Sequence, residues 1–448
     1  MKRLMSLLLL LLPLACDPQH ADWGLGAIAT MQTPPDDPKL ACGVVLPVDT
    51  LADQRAACTF ATGTPAAASL GVAATTAAAI PIRHVIVLMK ENRSFDHLLG
   101  RLHDQGQTDV EVIPARFTNP DMDGVPVGPF HQTNTCLAED PGHQAADMAL
   151  CLDGGLMDGF VVSAAQTTAS DGRWAMGVYE EPELPFNNWL ARTFALSDRH
   201  FSAMAGGTYG NRNFLLFGSN ATVVDTGIVY PPPNTPSVLQ LLMNAGFTWG
   251  AYSDSEVFSG AMDWHQGDPG VHTLSDFLAA VDQGTLPNVA FVDAEEYLTD
   301  DHPDADLQAG EAWTRNIYTH VVKSPQWPRL AMLWTYDEGG AFFDHIPPPD
   351  ACSPTADSPF HSLGTRVPFV AISPWAKRHY VSHVVQDHTA ITRFIEVLFG
   401  LPALTARDAN ADALLDLFDF SCTRDLTVEA PPAAGKGACV NPAPPGTH

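Results

Sequence analysis

Glu91 and Asn92 stand at the end of the apolar run His84–Met89, and Asp337 and Glu338 at the end of a second run, Leu330–Tyr336. All four side chains offer hard oxygen donors, and in an open α/β sheet ligands bind at the carboxyl ends of strands. If both runs are strands of one sheet, the two pairs can hold one divalent cation between them. Four oxygen ligands leave its identity open among Mg²⁺, Ca²⁺, Mn²⁺ and Zn²⁺. A nucleophile for such a centre is available in Thr208, which follows Gly206 and Gly207 and precedes a helical pattern. Free N–H groups at a helix N-terminus attract a phosphate-like anion, and a bound cation lowers the pKa of a hydroxyl beside it. Gly-Gly-Thr is equally a plain helix start, with the threonine capping backbone N–H groups. These residues point to metal-assisted hydrolysis and leave Thr208 between nucleophile and cap.

A sheet must bring them together. Short apolar runs predict buried strands at His84–Met89, Phe247–Tyr252, Asn288–Val292, Leu330–Tyr336 and Val367–Ser373. Helical patterns lie at Pro185–Arg192, Asn211–Phe217, Val238–Asn244, Ala309–Val322 and Thr389–Phe399. The last places Ile391, Phe394, Ile395 and Leu398 on one face, and Gly400-Leu401-Pro402 stops it. This alternation predicts an α/β fold with a mainly parallel central sheet and helices on both faces. The polar stretch 102–159 is longer than an ordinary connection and is expected to wall the active site.

The chain carries 51 acidic and 23 basic residues, a formal net charge of -28 at pH 7. Nucleic-acid backbones repel such a chain, which argues against a DNA- or RNA-binding role. Lys2 and Arg3 followed by an apolar run to Leu12 read as a signal peptide over residues 1–15, so the protein is expected to be exported: periplasmic, cell-surface or secreted. Leu14-Ala15-Cys16 resembles a lipoprotein cleavage box, apart from Pro13; Cys16 is either a lipidated membrane tether or the chain is simply secreted. Residues 16–80 are an exported lead-in whose Ala/Thr-rich run, 61–79, reads as a linker or loosely packed arm; a catalytic domain over 81–420 and a Pro/Ala/Gly-rich tail over 421–448 follow. The eight cysteines form no CxxC pattern. Local pairing would join Cys42 to Cys58, Cys136 to Cys151 and Cys422 to Cys439, leaving Cys352.

Four segments occur together and in order: ENRSFDHLLG at Glu91–Gly100, GGTYGNRN at Gly206–Asn213, DEGGAFFDHIPPP at Asp337–Pro349 and RVPFVAISPWAKRHYVSHVVQDHTAITRFIE at Arg366–Glu396. Together they resemble the phosphoesterase family of bacterial phospholipases C and respiratory-burst-inhibiting acid phosphatases, from about Ile82 to about Leu401. The resemblance implies an alkaline-phosphatase-like fold and one metal held by Glu91, Asn92, Asp337 and Glu338. It implies Thr208 as the nucleophile, with a phospho-threonine intermediate, and a histidine that protonates the leaving alcohol. His302, in Asp301-His302-Pro303, matches the family's Glu-His-Pro with Asp in place of Glu. His143 precedes Gly154–Gly159, which resembles the family's NGGKMDGF segment except at Asp153 and Leu156. Asp96, His97 and Asp387 are expected to cap and orient helices, Arg366 to brace a loop, and His345 to shape the loop around Asp337.

The expected function is therefore an exported, metal-dependent phosphoesterase of the phospholipase C or acid phosphatase type. Its substrate is a phosphate ester, with phospholipid among the candidates. About 50 residues follow the last motif, which favours a compact enzyme without an added C-terminal lipid-docking domain. The alternative, a non-catalytic surface lipoprotein that retains the fold, would be expected to lose the metal ligands or the nucleophile; all five are present.

Overall fold

In the computed structural model the described residues are 43–221, 223, 235–255, 270–356, 358, 360–421, 426, 428 and 430–440. The signal segment, Cys16, Cys42, Cys422 and the end of the tail lie outside them. The apolar runs become strands because each is buried on both faces. The main sheet contains, in chain order, β1 (His84–Lys90), β2 (Ala195–Ser197), β3 (Trp249–Tyr252), β4 (Val271–His272), β5 (Val289–Asp293), β6 (Leu330–Tyr336), β7 (Phe369–Ile372) and β8 (Tyr380–Ser382). Their spatial order is β8-β2-β7-β6-β1-β5-β3-β4. Only β7 runs antiparallel to its neighbours β6 and β2; every other pair in the sheet is parallel. The sheet is thus mixed and mainly parallel, as the alternation predicted.

The helices that matter for the site are α1 (Ala66–Ser69), α2 (Ala74–Ala79), α3 (Pro185–Thr193), α4 (Thr208–Phe217), α5 (Leu307–Val321) and α6 (His388–Phe399). Strand alternation shows that they cover both faces. Val87 and Met89 of β1 line a small void together with Arg212, Leu215 and Leu216 of α4. Lys90, the next residue, points the other way, with its ammonium 5.9 Å from the ring centre of Trp313 on α5.

The Ala/Thr-rich run is packed rather than loose. Ala66, Leu70 and Ala77 are buried in the main core, and Arg393 of α6 donates to Ala66 O at 3.3 Å and to Ser69 Oγ. Small side chains let α1 and α2 lie close against α6; their composition reflects that close approach and not flexibility.

The local cysteine pairing is also corrected. Cys58 bonds Cys352 and Cys136 bonds Cys439, while buried Cys151 has no disulfide partner among the described residues, and burial pushes its thiol up to about 12. Both bridges join segments about 300 residues apart in sequence that the fold brings to one place. The second fastens the tail, where Lys436 N–H also donates to Pro182 O at 2.8 Å.

One buried acid outside the site gives a pH prediction. Glu311 of α5 is 2% exposed, and its Oε1 accepts the N–H groups of Phe186 and Asn187 at 2.7 and 2.9 Å, at the start of α3. Burial raises its pKa from 4.5 to about 7. Between those values the folded state holds a proton that the unfolded chain has lost, so stability falls as pH rises through this window. Glu311→Gln keeps the Oε1 acceptor and cannot ionise. Thermal melts should show the variant level with the parent near pH 5 and more stable near pH 8, by about 1–3 kcal/mol. A difference independent of pH would refute this.

Candidate active site

β1 and β6 run side by side, with Lys90 level with Tyr336. The next residues, Glu91 and Asp337, therefore emerge together and face away from Lys90 and Tyr336. Asp337 N–H donates to Lys90 O at 3.0 Å, extending the ladder into the loop. The chain then turns sharply at Asn92, whose φ of 58° lies in the left-handed region that asparagine tolerates. The Asn92 and Glu338 N–H groups both donate to Asp337 Oδ1, at 3.2 and 2.8 Å. Gly340 has φ +58°, and a Cβ there would lie 2.6 Å from Asn92 Cβ, so only glycine lets the two ligand loops close on each other. From behind, His388 at the start of α6 donates its Nε2–H to Asp337 O at 2.6 Å.

Thr208 is the first residue of α4, and Gly207 occupies the cap position. Its hydroxyl makes no capping bond. Thr208 Oγ1 lies 3.2 Å from Glu338 Oε1 and 3.5 Å from Glu91 Oε2. One turn further, Asn211 Nδ2 donates to Glu338 Oε2 at 3.2 Å. The Arg212 guanidinium reaches Glu91 Oε1 at 2.5 Å, Asp293 Oδ1 at 2.8 Å and Asp337 Oδ2 at 3.1 Å. The i, i+3 and i+4 spacing places Thr208, Asn211 and Arg212 on one face of α4.

Three carboxylates thus surround a single guanidinium. Burial, reinforced by Asp337, raises the Glu91 carboxyl well above the usual carboxylate range although Arg212 opposes the shift. Burial, then Asp337 and Glu91, does the same to Glu338. Arg212 keeps its charge because Glu91, Asp337 and Asp293 outweigh its own burial. Among the described residues, buried Asn92 Oδ1 has no hydrogen-bond partner, an arrangement that a ligand normally relieves. Excess buried negative charge plus an unpartnered amide oxygen fits a divalent cation held by Glu91, Asn92, Asp337 and Glu338.

The two histidines join this group. His143 Nε2 lies 3.4 Å from Asn92 Nδ2 and 3.7 Å from Glu338 Oε1. The His302 ring stands edge-on to that of His143, with centres 5.9 Å apart. Each Nδ1 faces a backbone carbonyl, Pro141 O at 2.9 Å and Pro303 O at 2.5 Å. A carbonyl only accepts, so each Nδ1 carries a proton and each Nε2 is left for the cleft. Asp140 sits between them, 3.6 Å from His143 Nδ1 and 3.8 Å from His302 Nε2. Burial lowers the pKa of His302. The segment that carries Asp140 and His143 belongs to the long polar stretch expected to wall the site.

Of the residues expected to cap or brace, Asp387 caps while the others brace; Ser94, not Asp96 or His97, caps the helix Phe95–Leu99. Asp387 Oδ1 caps α6 by accepting Thr389 N–H at 2.9 Å. Arg366 spans Asp96 and Asp344, both at 2.9 Å, and His345 Nδ1 lies 2.5 Å from Asp96 Oδ2. His97 donates Nδ1–H to Gly177 O at 2.8 Å.

The model of the phosphoesterase family matches residues 82–402. The chain belongs to the phosphoesterase family. It is a phosphoric ester hydrolase by that membership. Non-specific phospholipase C1 of Arabidopsis thaliana is 28% identical over 377 residues, covering 74% of this chain and 70% of the plant protein. Phospholipase C B of Mycobacterium tuberculosis is 29% identical over 411 residues, with 76% and 78% covered. Non-hemolytic phospholipase C of Pseudomonas aeruginosa is 28% identical over 405 residues, covering 76% of this chain and 57% of its own length.

Several residues of this phosphoesterase site escaped the sequence reading. Asp293 ends β5, beside Met89 of β1, so the strand-end rule that found Glu91 and Asp337 would have found it too. Asn211 and Arg212 lie inside the quoted GGTYGNRN motif, and their spacing from Thr208 was the available signal. For Asp140, nothing beyond its nearness to His143 in sequence pointed to the site.

Proposed function

We propose that this phosphoesterase hydrolyses its ester through Thr208, with Glu91, Asn92, Asp337 and Glu338 holding one divalent cation. The observation that carries the reading is the placement of Thr208 Oγ1. It sits at a helix N-terminus and within 3.5 Å of two ligand carboxylates instead of capping its own helix. The cation, when bound, would acidify the hydroxyl and offset charge on the phosphoryl oxygens. Thr208 Oγ1, having released its proton to solvent, attacks phosphorus, and the bond from phosphorus to the leaving oxygen breaks. His302 or His143, protonated on Nε2, gives that proton to the departing alcohol; His302 is our choice because its family-like motif brings it to the cleft. Water then attacks the phospho-threonine, releasing the phosphoryl group and restoring the hydroxyl. The N–H groups opening α4 and the Arg212 guanidinium favour the negative charge throughout.

The relatives' names favour a phospholipid or another phosphodiester as substrate, while the acid phosphatase branch of the resemblance favours a monoester. Purified full-length protein, loaded in turn with Mg²⁺, Ca²⁺, Mn²⁺ and Zn²⁺, should turn over p-nitrophenyl phosphate, p-nitrophenyl phosphorylcholine, or both. Their ratio assigns the class, and inactivity toward both with every cation overturns the reading. The leader supports export. Among the described residues no helix is long and apolar enough to cross a membrane; a tether through a lipidated Cys16 is the reading to test. Mass spectrometry of the mature N-terminus distinguishes a lipidated cysteine from plain cleavage.

A further inference from the structure

We propose that Asp301 is a positioning residue: one buried carboxylate that fastens the His302 loop to both ligand-bearing strand ends. The inference rests on the reading of His302 as the leaving-group acid. Lys90 and Tyr336 lie level on adjacent strands and immediately precede Glu91 and Asp337. Strand alternation turns both away from Thr208, toward α5. There both meet Asp301 Oδ2, the Lys90 ammonium at 2.6 Å and the Tyr336 hydroxyl at 2.5 Å. Lys90 and Asp301 are 1% and 0% exposed, so the contact is shielded from solvent.

The main chain repeats the connection. Arg93 Nε–H donates to Asp301 O at 2.8 Å, and Glu91 N–H donates to Asp300 O at 2.9 Å. His302 N–H is in turn held by Asp300 Oδ1 at 3.1 Å. Asp301 adopts φ +74°, which turns its side chain under the sheet while the next residue enters the cleft. Gly310 of α5 shows how tightly the arrangement is packed: a Cβ there would lie 1.7 Å from Asp301 Oδ1 and 2.5 Å from Lys90 Nζ. A purely structural ion pair would need neither partner to be the residue next to a metal ligand, nor the carboxylate to be next to the proposed acid. Here all three adjacencies hold at once. Asp301 thereby fixes where His302 stands relative to Glu91 and Asp337.

The test uses leaving groups. Proton donation matters little for p-nitrophenolate and much for phenolate, so loss of the acid lowers kcat/KM for the phenyl ester far more than for the p-nitrophenyl ester. Because both esters are measured on one preparation, the ratio does not depend on the fraction folded. Paired p-nitrophenyl and phenyl esters, made as phosphate monoesters and as phosphorylcholine diesters, would be assayed on the metal-loaded full chain. His302→Ala is expected to shift the ratio by about 10²-fold or more, and Asp301→Asn by at least about tenfold in the same direction. Tyr336→Phe removes one hydroxyl, retains the ion pair, and is expected to shift the ratio at least about threefold; it carries the test if Asp301→Asn does not fold. A shift in His302→Ala, with uniform loss or no change in the other two variants, overturns the proposal and leaves the His302 reading standing. An unchanged ratio in His302→Ala removes the acid assignment itself, and the positioning role with it.

Discussion

Replacing Thr208 with alanine should lower kcat/KM by at least about 10⁴-fold on every ester the parent protein cleaves, because loss of a covalent nucleophile removes the pathway and not one contact. The fold should not notice. Thr208 is half-buried, Gly207 holds the cap position, and the Thr208 hydroxyl caps nothing. Among the described residues the hydroxyl's hydrogen bonds run to Glu338 and Glu91, two carboxylates already crowded with negative charge. The melting temperature should therefore stay within a degree or two of the parent, which separates chemistry from stability. Thr208→Ser keeps the oxygen and should retain most of the rate. Rapid acid quenching of the parent during turnover, followed by peptide mass spectrometry, should locate a phosphoryl group on Thr208. Undiminished activity in the alanine variant would remove Thr208 as nucleophile whatever the family resemblance implies.

How much of this was legible in the sequence differs from one part to another, for physical reasons. The long buried strands were legible because a strand covered on both faces is apolar throughout; the run Leu330–Tyr336 matches β6 residue for residue. The three-residue strands β2 and β8 were not, since Ala195–Ser197 and Tyr380–Ser382 are too short to show a period. Helix α4 starts at Thr208, three residues before the predicted start at Asn211, because its first two turns are polar and face the site and not the core. The strand-end acids were readable from position alone. Arg212 was not, because its meaning lies in three carboxylates that come from three different strands. The disulfides failed for the same reason in stronger form. Both join distant segments, and sequence offers no distance between them except through the finished fold. The alanine-rich run misled because small residues serve flexible linkers and close helix packing alike.

Chelation should abolish turnover, and Glu338→Gln should lower it by at least roughly 10³-fold, through loss of cation binding and of charge opposite the phosphoryl group. Glu91 and Glu338 are raised well above their ordinary 4.5 by burial and by their acidic neighbours, so the folded state takes up protons there that the unfolded chain releases. Without cation, the contribution of these two acids to stability is therefore greatest at low pH and declines as pH climbs above about 4.5 through the raised folded values. A divalent cation must displace those protons, so its apparent affinity should rise with pH over the same window. Saturating cation should reverse the decline, adding about 2.7 kcal/mol at a hundredfold excess over Kd. Melting curves at a series of pH values, with and without Mg²⁺, Ca²⁺, Mn²⁺ or Zn²⁺, read this directly and need no substrate. Glu338→Gln should flatten the cation-free decline, since one of the repelling acids no longer ionises. It should also weaken the cation-induced rise, by about 10- to 100-fold in apparent Kd. Its amide oxygen can still accept from Asn211 Nδ2 while its NH2 donates to Thr208 Oγ1, so failure to fold is not the expected result. A parent protein whose melting temperature ignores all four cations, yet turns over esters in chelator, would show that the acidic cluster serves Arg212 alone and that the chemistry runs without a metal.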